Sequence, residues 1–167
     1  MTTTTNERAD LLQALTTHRG FLRTTVQGLS DEQASQHTTV SALCLGGLIK
    51  HVAEVESRWA DFILRGAPAM AGPTGANDWA SRFQMEPGET LDQLVEHYEQ
   101  VAQRTDDLLA TLPDLDASHR LPDAPWFEPG ASWSARRVLL HIIGETAQHA
   151  GHADILRESL DGAKTMG

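Results

Sequence analysis

Apolar residues recur every three to four positions along four long stretches of this 167-residue chain. In the first stretch, Leu12, Leu15, Leu22 and Val26 fall on one side of a helix with 3.6 residues per turn. No stretch shows the alternation of apolar and polar residues that is typical of a half-buried strand. Since an amphipathic helix must bury its apolar face against another element, we predict an all-α four-helix bundle.

Capping and turn-forming residues set the limits of the four helices. We predict helices from about Asn6 to Gln27, from after Ser41 to about Arg65, from Thr90 to about Leu112, and from Ser134 to Asp161. Ser30 and Thr90 each precede a glutamine by three positions, which is the spacing of a capping box. The stretches 66–88 and 113–132 are rich in glycine and proline, so we predict loops there. Because these connections are long, the helices need not follow a simple up-and-down order.

The composition excludes several classes of protein. Hydrophobic residues make up 40% and charged residues 22%, as in globular proteins, and we predict one domain over residues 1–167. Acidic residues outnumber basic ones by 23 to 13, which argues against a nucleic-acid or anionic membrane partner. The N-terminus lacks the pattern of a signal peptide, and no stretch is apolar enough to span a membrane. We therefore expect a cytoplasmic protein whose single cysteine, Cys44, packs in the core.

The fourth predicted helix carries two titratable residues on its apolar side. At 100° per residue, four apolar residues define the buried arc: Val138, Ile142, Leu156 and Leu160. His149 falls inside that arc, and Glu145 lies about 20° from its edge. A carboxylate and an imidazole are costly to remove from water unless something compensates them. The pair predicts either a bound metal ion or an internal Glu–His hydrogen bond.

The second predicted helix offers a third ligand. His51 lies at the margin of that helix's apolar side, from which it could complete a metal site with Glu145 and His149. Two imidazoles and one carboxylate leave an open position, as in catalytic zinc sites. Alternatively, His51 is an ordinary hydrogen-bonded or exposed histidine. His141 and His152 flank the pair, and we assign them to its surroundings. The remaining histidines are predicted at the surface: His18, His37, His97 and His119.

Three further residues are candidates for contacts with a substrate. Arg157, on the fourth helix, could orient an anionic part of a thiol or substrate, and an ion pair with Asp154 or Asp161 is the alternative. Trp126 and Phe127, in the second proline-rich stretch, could wall a pocket or simply pack in the core.

Two segments of the sequence resemble a known superfamily. Residues 48–56, LIKHVAEVE, and 140–158, LHIIGETAQHAGHADILRE, are similar to helices of the DinB/YfiT-like superfamily of metalloenzymes. The similarity extends over nearly the whole chain, and the most similar subgroup is that of the actinobacterial mini-circle-type proteins. It implies a four-helix bundle with a crossover topology. It also implies a metal site of His51, Glu145 and His149, in which Glu145 stands where most members have histidine.

The same His/Glu/His set is similar to that of the mycothiol-dependent maleylpyruvate isomerases. The resemblance implies a divalent metal, with zinc as the first expectation and nickel or iron as alternatives, and mycothiol as a co-substrate. The implied function is a metal-dependent S-transferase, or a related isomerase or hydrolase, acting on a small thiol and a small electrophile. A non-catalytic metal- or ligand-binding protein, and a structural protein whose site no longer holds metal, are the alternatives. A homodimer is also consistent with the resemblance.

Overall fold

The computed structural model describes residues 3–71 and 81–165, with side chains from Glu7 onward. The helices of this part are α1 (Thr3–Thr24), α2 (Asp31–Ser35), α3 (Leu45–Arg65), α4 (Leu91–Thr111) and α5 (Ala135–Asp161). Two short strands, β1 (Ser118–Arg120) and β2 (Ser132–Ser134), pair antiparallel in the stretch that joins α4 to α5. The predicted all-α class is confirmed, and the four long helices are the four that the periodicity predicts. None of the described helices is long and apolar enough to cross a membrane.

The helix ends follow local hydrogen bonding. Thr90 caps α4 and its partner Gln93 completes the predicted capping box, while Ser134 caps α5. Gly162 ends α5 with φ at 81°, a left-handed conformation that glycine adopts without a steric penalty. These three helix ends lie where the sequence places them.

Three predicted limits were wrong by three residues: α1 begins at Thr3 rather than about Asn6, and the other two lie at the start of α3 and the end of α1. α3 begins at Leu45 rather than just after Ser41, because the Ser41 hydroxyl accepts a hydrogen bond from the Leu43 amide in a local turn. α1 ends at Thr24 rather than Gln27, and the residues that follow it form turns instead. The two strands were not predicted, since three residues are too few to show a period.

The order of the helices around the bundle involves two crossovers. α3 packs against α4 and α5, and α1 packs mainly against α5 and less extensively against α4. The consecutive long helices α1 and α3 therefore lie diagonally opposite each other, as do α4 and α5. This arrangement confirms the crossover topology, and it places α3 beside α5, the two helices that carry the candidate ligands.

A buried ion pair crosses this diagonal between two apolar clusters. Arg19 on α1 donates to both oxygens of Glu56 on α3, at 2.5 and 3.2 Å, and to Asp106 on α4 at 2.7 Å. Arg19 is 3% exposed and Glu56 is fully buried. Although burial opposes its charge, the pKa of Arg19 is raised by Glu56 and Asp106. One apolar cluster contains Leu22 and Val52 and the other contains Leu15 and Trp59, so the ion pair lies between them along the bundle.

Candidate metal centre

His51, Glu145 and His149 come together where α3 packs against α5. One potential ligand atom of each residue lies within 4.8 Å of the others, and the described residues contain no second such group. His149 Nε2 is 3.7 Å from Glu145 Oε2, and the rings of His51 and His149 are 4.8 Å apart between centroids. Both histidines are buried, whereas the Glu145 side chain is 29% exposed. The cluster is thus closed by protein on the histidine side and accessible at the carboxylate.

The spacing within the cluster bears on both interpretations of the Glu145–His149 pair. At 3.7 Å the two atoms are farther apart than in an ordinary hydrogen bond. His149 lowers the pKa of Glu145 while burial acts in the opposite direction, so Glu145 is ionised at neutral pH. An ionised carboxylate that faces two imidazoles across more than a hydrogen-bond length is arranged to share a cation with them. The three side chains could therefore hold a cation between them, and a direct Glu–His contact is the alternative.

His51 has the protonation state that a ligand needs. Burial, with a smaller contribution from His149, lowers the pKa of His51 to about 4, so the ring is neutral at pH 7. Its Nδ1 is buried and has no hydrogen-bond partner among residues 3–71 and 81–165. Leaving a buried polar nitrogen without a partner costs free energy, whereas a neutral imidazole is the form that binds a metal. These features fit a divalent cation held by His51, Glu145 and His149.

Two further histidines surround the cluster. His152 Nδ1 lies 3.4 Å from His149 Nδ1, on the side of that ring away from Glu145. His141 Nε2 lies 3.8 Å from Glu145 Oε1, and burial lowers the pKa of His141. The two outer histidines therefore contact the members of the cluster on α5, one turn to either side of them.

The segment 81–85 covers the cluster, and sequence reasoning missed its role. The Phe83 ring stacks on His51, with 4.0 Å between centroids and 27° between planes. The backbone of this segment can approach α3 because residue 47 is glycine: a Cβ there would lie 1.8 Å from the Phe83 carbonyl oxygen. Lys50 donates to the Gln84 carbonyl oxygen of the segment, at 3.5 Å, and pairs with Glu89, four residues beyond it, at 2.7 Å. A glycine pair one turn before His51 in an apolar helix was the signal for this close approach.

Replacing Gly47 with alanine should lower the free energy of unfolding by about 1–3 kcal/mol, because the segment 81–85 must shift away from α3. Helix propensity alone would change the stability in the opposite direction, by about 1 kcal/mol. Gly151→Ala on α5 is the matched control, since a Cβ there meets nothing within 4 Å and should stabilise the protein. Urea denaturation measures both effects. A Gly47→Ala protein as stable as Gly151→Ala would contradict the close packing.

Arg157 and Trp126 lie away from the cluster. The Arg157 guanidinium binds Asp161 at 2.9 Å and donates to the backbone carbonyls of Thr25 and Gln27, at 2.9 and 3.0 Å. It therefore joins the end of α5 to the end of α1, which matches the predicted alternative of an ion pair with Asp161. Trp126 is 76% exposed. The structure brings neither side chain to the three candidate ligands.

The remaining predictions for cysteine and histidine can be compared with the structure. Cys44 is buried, as predicted. His37 and His97 are exposed, as predicted. His119 is not a simple surface residue, because its Nε2 is 3.1 Å from the Ile63 carbonyl oxygen. The strand pairing of β1 with β2, which sequence periodicity could not detect, carries His119 into this position.

The crossover bundle, with two histidines and one glutamate between α3 and α5, defines a protein of the DinB-like class. A family model described as mycothiol-S-transferase matches residues 10–162, and the chain belongs to that family. A crystal structure described as a conserved protein of a locus from Enterococcus faecalis is similar, with a TM-score of 0.70 and 13% sequence identity. The alignment covers 92% of this chain and 96% of that one, and at this identity it shows the fold alone. Among curated proteins, none matches the chain.

Proposed function

We propose that this protein is a divalent-metal-dependent S-transferase that joins mycothiol to a small electrophile. The single observation that carries the proposal is the convergence of His51, Glu145 and His149 within 4.8 Å, in a chain of the mycothiol-S-transferase family. Zinc is the first candidate, because two imidazoles and a carboxylate suit zinc and leave a coordination position open. Nickel and iron accept similar donors.

The surroundings of the three ligands support this chemistry. A divalent cation in the site would favour the thiolate form of a bound thiol, and the thiolate is the nucleophile in sulfur transfer. Phe83 shields the His51 ring from water on one side. His152 contacts His149 through their two Nδ1 atoms, 3.4 Å apart; a hydrogen bond donated by His149 Nδ1 would leave its Nε2 unprotonated and free to bind a cation beside Glu145. Glu145, the accessible member, marks the side from which a thiol and an electrophile enter.

In the proposed reaction a carbon–sulfur bond forms between the thiol and the electrophile. For a substitution, the bond from that carbon to the leaving group breaks and the leaving group departs with the electron pair. The thiol proton passes to solvent. No oxidant or reductant is required.

Purified protein reconstituted with zinc should bind about one equivalent, because three preformed donors converge in one site. Elemental analysis after removal of excess metal measures the content. Fewer than about one chain in ten retaining any of zinc, nickel or iron would contradict the proposal and favour a structural role.

A second measurement separates an enzyme from a non-catalytic binding protein. Mycothiol added to the cobalt-substituted protein should produce a sulfur-to-cobalt charge-transfer band, and the metal-loaded protein should consume mycothiol in the presence of a model electrophile. If the band appears but no electrophile of several classes is turned over, the binding interpretation replaces the enzymatic one.

A further inference from the structure

One row of side chains on α5 continues beyond the metal centre toward the start of the helix. Residues four apart lie above one another on a helix, and four polar residues form this row: His149, Glu145, His141 and Arg137. Arg137 extends the row beyond His141, and its guanidinium carbon lies 4.2 Å from the centre of the Trp133 ring. The row therefore connects the metal centre to an aromatic and cationic region about two turns away.

The aromatic part of this region is anchored in the core. Trp59, on α3, is 6% exposed and stacks on Trp133, with 4.8 Å between centroids and 17° between planes. The His141 ring lies edge-on to both indoles, at 4.8 and 5.1 Å. Phe127 packs edge-on against the same two rings, at 6.3 and 5.8 Å. Four rings from separate elements thus fix one another, which gives a ligand a rigid wall.

Arg137 is held on this wall without an acidic partner in the part of the chain that the structure describes. Trp59 covers one face of Trp133, so the guanidinium occupies the other face in a cation–π contact. The neighbouring Arg136, by contrast, pairs with Glu7 and Asp116. Arg137 is exposed, and among residues 3–71 and 81–165 no carboxylate lies within ion-pair distance of it. In a chain with a net charge of −10, a guanidinium that is positioned but not neutralised is suited to a negatively charged ligand.

We propose that Arg137, backed by Trp133, binds a carboxylate of the electrophilic substrate. The substrate class is then a small electrophile in which a planar apolar body separates a carboxylate from the reacting carbon. This inference rests on the proposed function, because it places the reacting carbon at the metal centre. The guanidinium donates to the carboxylate, and the planar body covers His141, whose side chain is 26% exposed. The reacting carbon then reaches the thiol sulfur beside Glu145.

The distance between Arg137 and Glu145 suits a substrate with one ring between its carboxylate and its reacting carbon. Arg137 and Glu145 are eight residues apart, or about 12 Å along the helix axis. One aromatic ring between carboxylate and reacting carbon, together with the sulfur of the thiol, covers a span of this order. Mycothiol carries no carboxylate, which assigns the negative charge to the electrophile. With 4-(chloromethyl)benzoate as a model substrate, a carbon–sulfur bond forms, the carbon–chlorine bond breaks, chloride leaves with the electron pair, and the thiol proton passes to solvent.

Binding of unreactive analogues tests the anion site without turnover. Calorimetry should show that 4-methylbenzoate binds about tenfold more tightly than the neutral 4-methylbenzamide, and that added salt reduces this preference. Arg137→Gln should remove the preference and Arg137→Lys should retain part of it. Arg23→Gln, an equal change of charge on α1, should leave it intact. The same preference is expected in metal-free protein, because the carboxylate binds Arg137 rather than the cation. Equal binding of the two analogues, or a preference that is lost with the metal, would overturn the inference.

Turnover then separates this inference from the proposed function. With mycothiol, kcat/KM for 4-(chloromethyl)benzoate should exceed that for 4-methylbenzyl chloride about tenfold, and Arg137→Gln should lower only the former. If the wild type turns over the two compounds with equal kcat/KM, the assignment of Arg137 as an anion site is wrong, while the S-transferase proposal stands. If neither these two compounds nor electrophiles of other classes react although Arg137 still selects the benzoate, the S-transferase proposal fails and the anion site stands.

Discussion

Replacing His149 with alanine should weaken zinc binding by about 100-fold or more, and turnover of mycothiol should fall at least as far. Loss of a residue that only supports a ligand typically costs 10- to 100-fold in metal affinity, and His149 would be a ligand itself. Its Nε2 lies 3.7 Å from Glu145 Oε2, and its ring lies 4.8 Å from that of His51. Its removal therefore leaves only two of the three converging donors. Competition with a chelator of known affinity measures the loss.

The matched control for this substitution is His97→Ala. His97 is exposed on α4 and is not one of the three candidate ligands. Its replacement therefore also removes one histidine, but it leaves the cluster intact. His152→Ala should fall between the two variants, because that ring contacts His149 rather than the site itself. Full zinc affinity and full turnover in His149→Ala would refute the assignment of the ligands, whatever the fate of the proposed reaction.

The second large effect is on the free energy of unfolding and involves the buried ion pair of Arg19 with Glu56. Arg19→Met should lower the free energy of unfolding by about 3–5 kcal/mol, since Glu56 would remain as a buried charge without its partner. Glu56 is fully buried and bound by the guanidinium through two contacts, at 2.5 and 3.2 Å. Asp106, the other acceptor, retains 28% exposure and can be solvated instead. Chemical denaturation measures the change, with the slope against denaturant as a check that the unfolded state is unaltered.

A double substitution distinguishes a lost ion pair from lost packing. Arg19→Met combined with Glu56→Leu removes both charges and should recover most of the stability, because apolar groups of similar volume replace a buried ion pair at little cost. Arg23→Met is the surface control: its pair with Glu99 is 3.3 Å long and both side chains are at least one-third exposed. That control should cost less than about 1 kcal/mol. A double variant as unstable as Arg19→Met would show that shape, not charge, is what Arg19 contributes.

Much of the fold could be predicted from the sequence because each long helix carries its own signals. The apolar period of about 3.6 and the caps at Thr90, Ser134 and Gly162 lie within the helices that they define. The pair Glu145 and His149 was detectable for the same reason, since both residues lie on one helix. Two of the predicted limits that were wrong, at Ser41 and Gln27, depend on turns in which local hydrogen bonds compete with the helix.

Features that join separate helices were not predictable from any one segment. Arg19 and Glu56 are 37 residues apart and showed no pattern, yet they form the buried ion pair of the bundle. The contact of Phe83 with His51 likewise requires a chain segment to cross α3 at Gly47. Trp59, Trp133 and Arg137 meet only because α3, β2 and α5 pack together. Such contacts depend on the order of helices in the bundle, which periodicity does not specify.

The sequence by itself determined the four helices and the polar pair on one of them, because helical spacing and end-capping are local properties of the chain. Only the tertiary structure decided which helices are neighbours. By crossing the connections, it placed α3 beside α5, brought His51 to Glu145 and His149, and left Arg157 at the far end of α5. The physical reason is that a cluster of potential metal ligands requires side chains of different helices to lie within a few ångströms of one another. Those distances follow from the packing of the whole bundle.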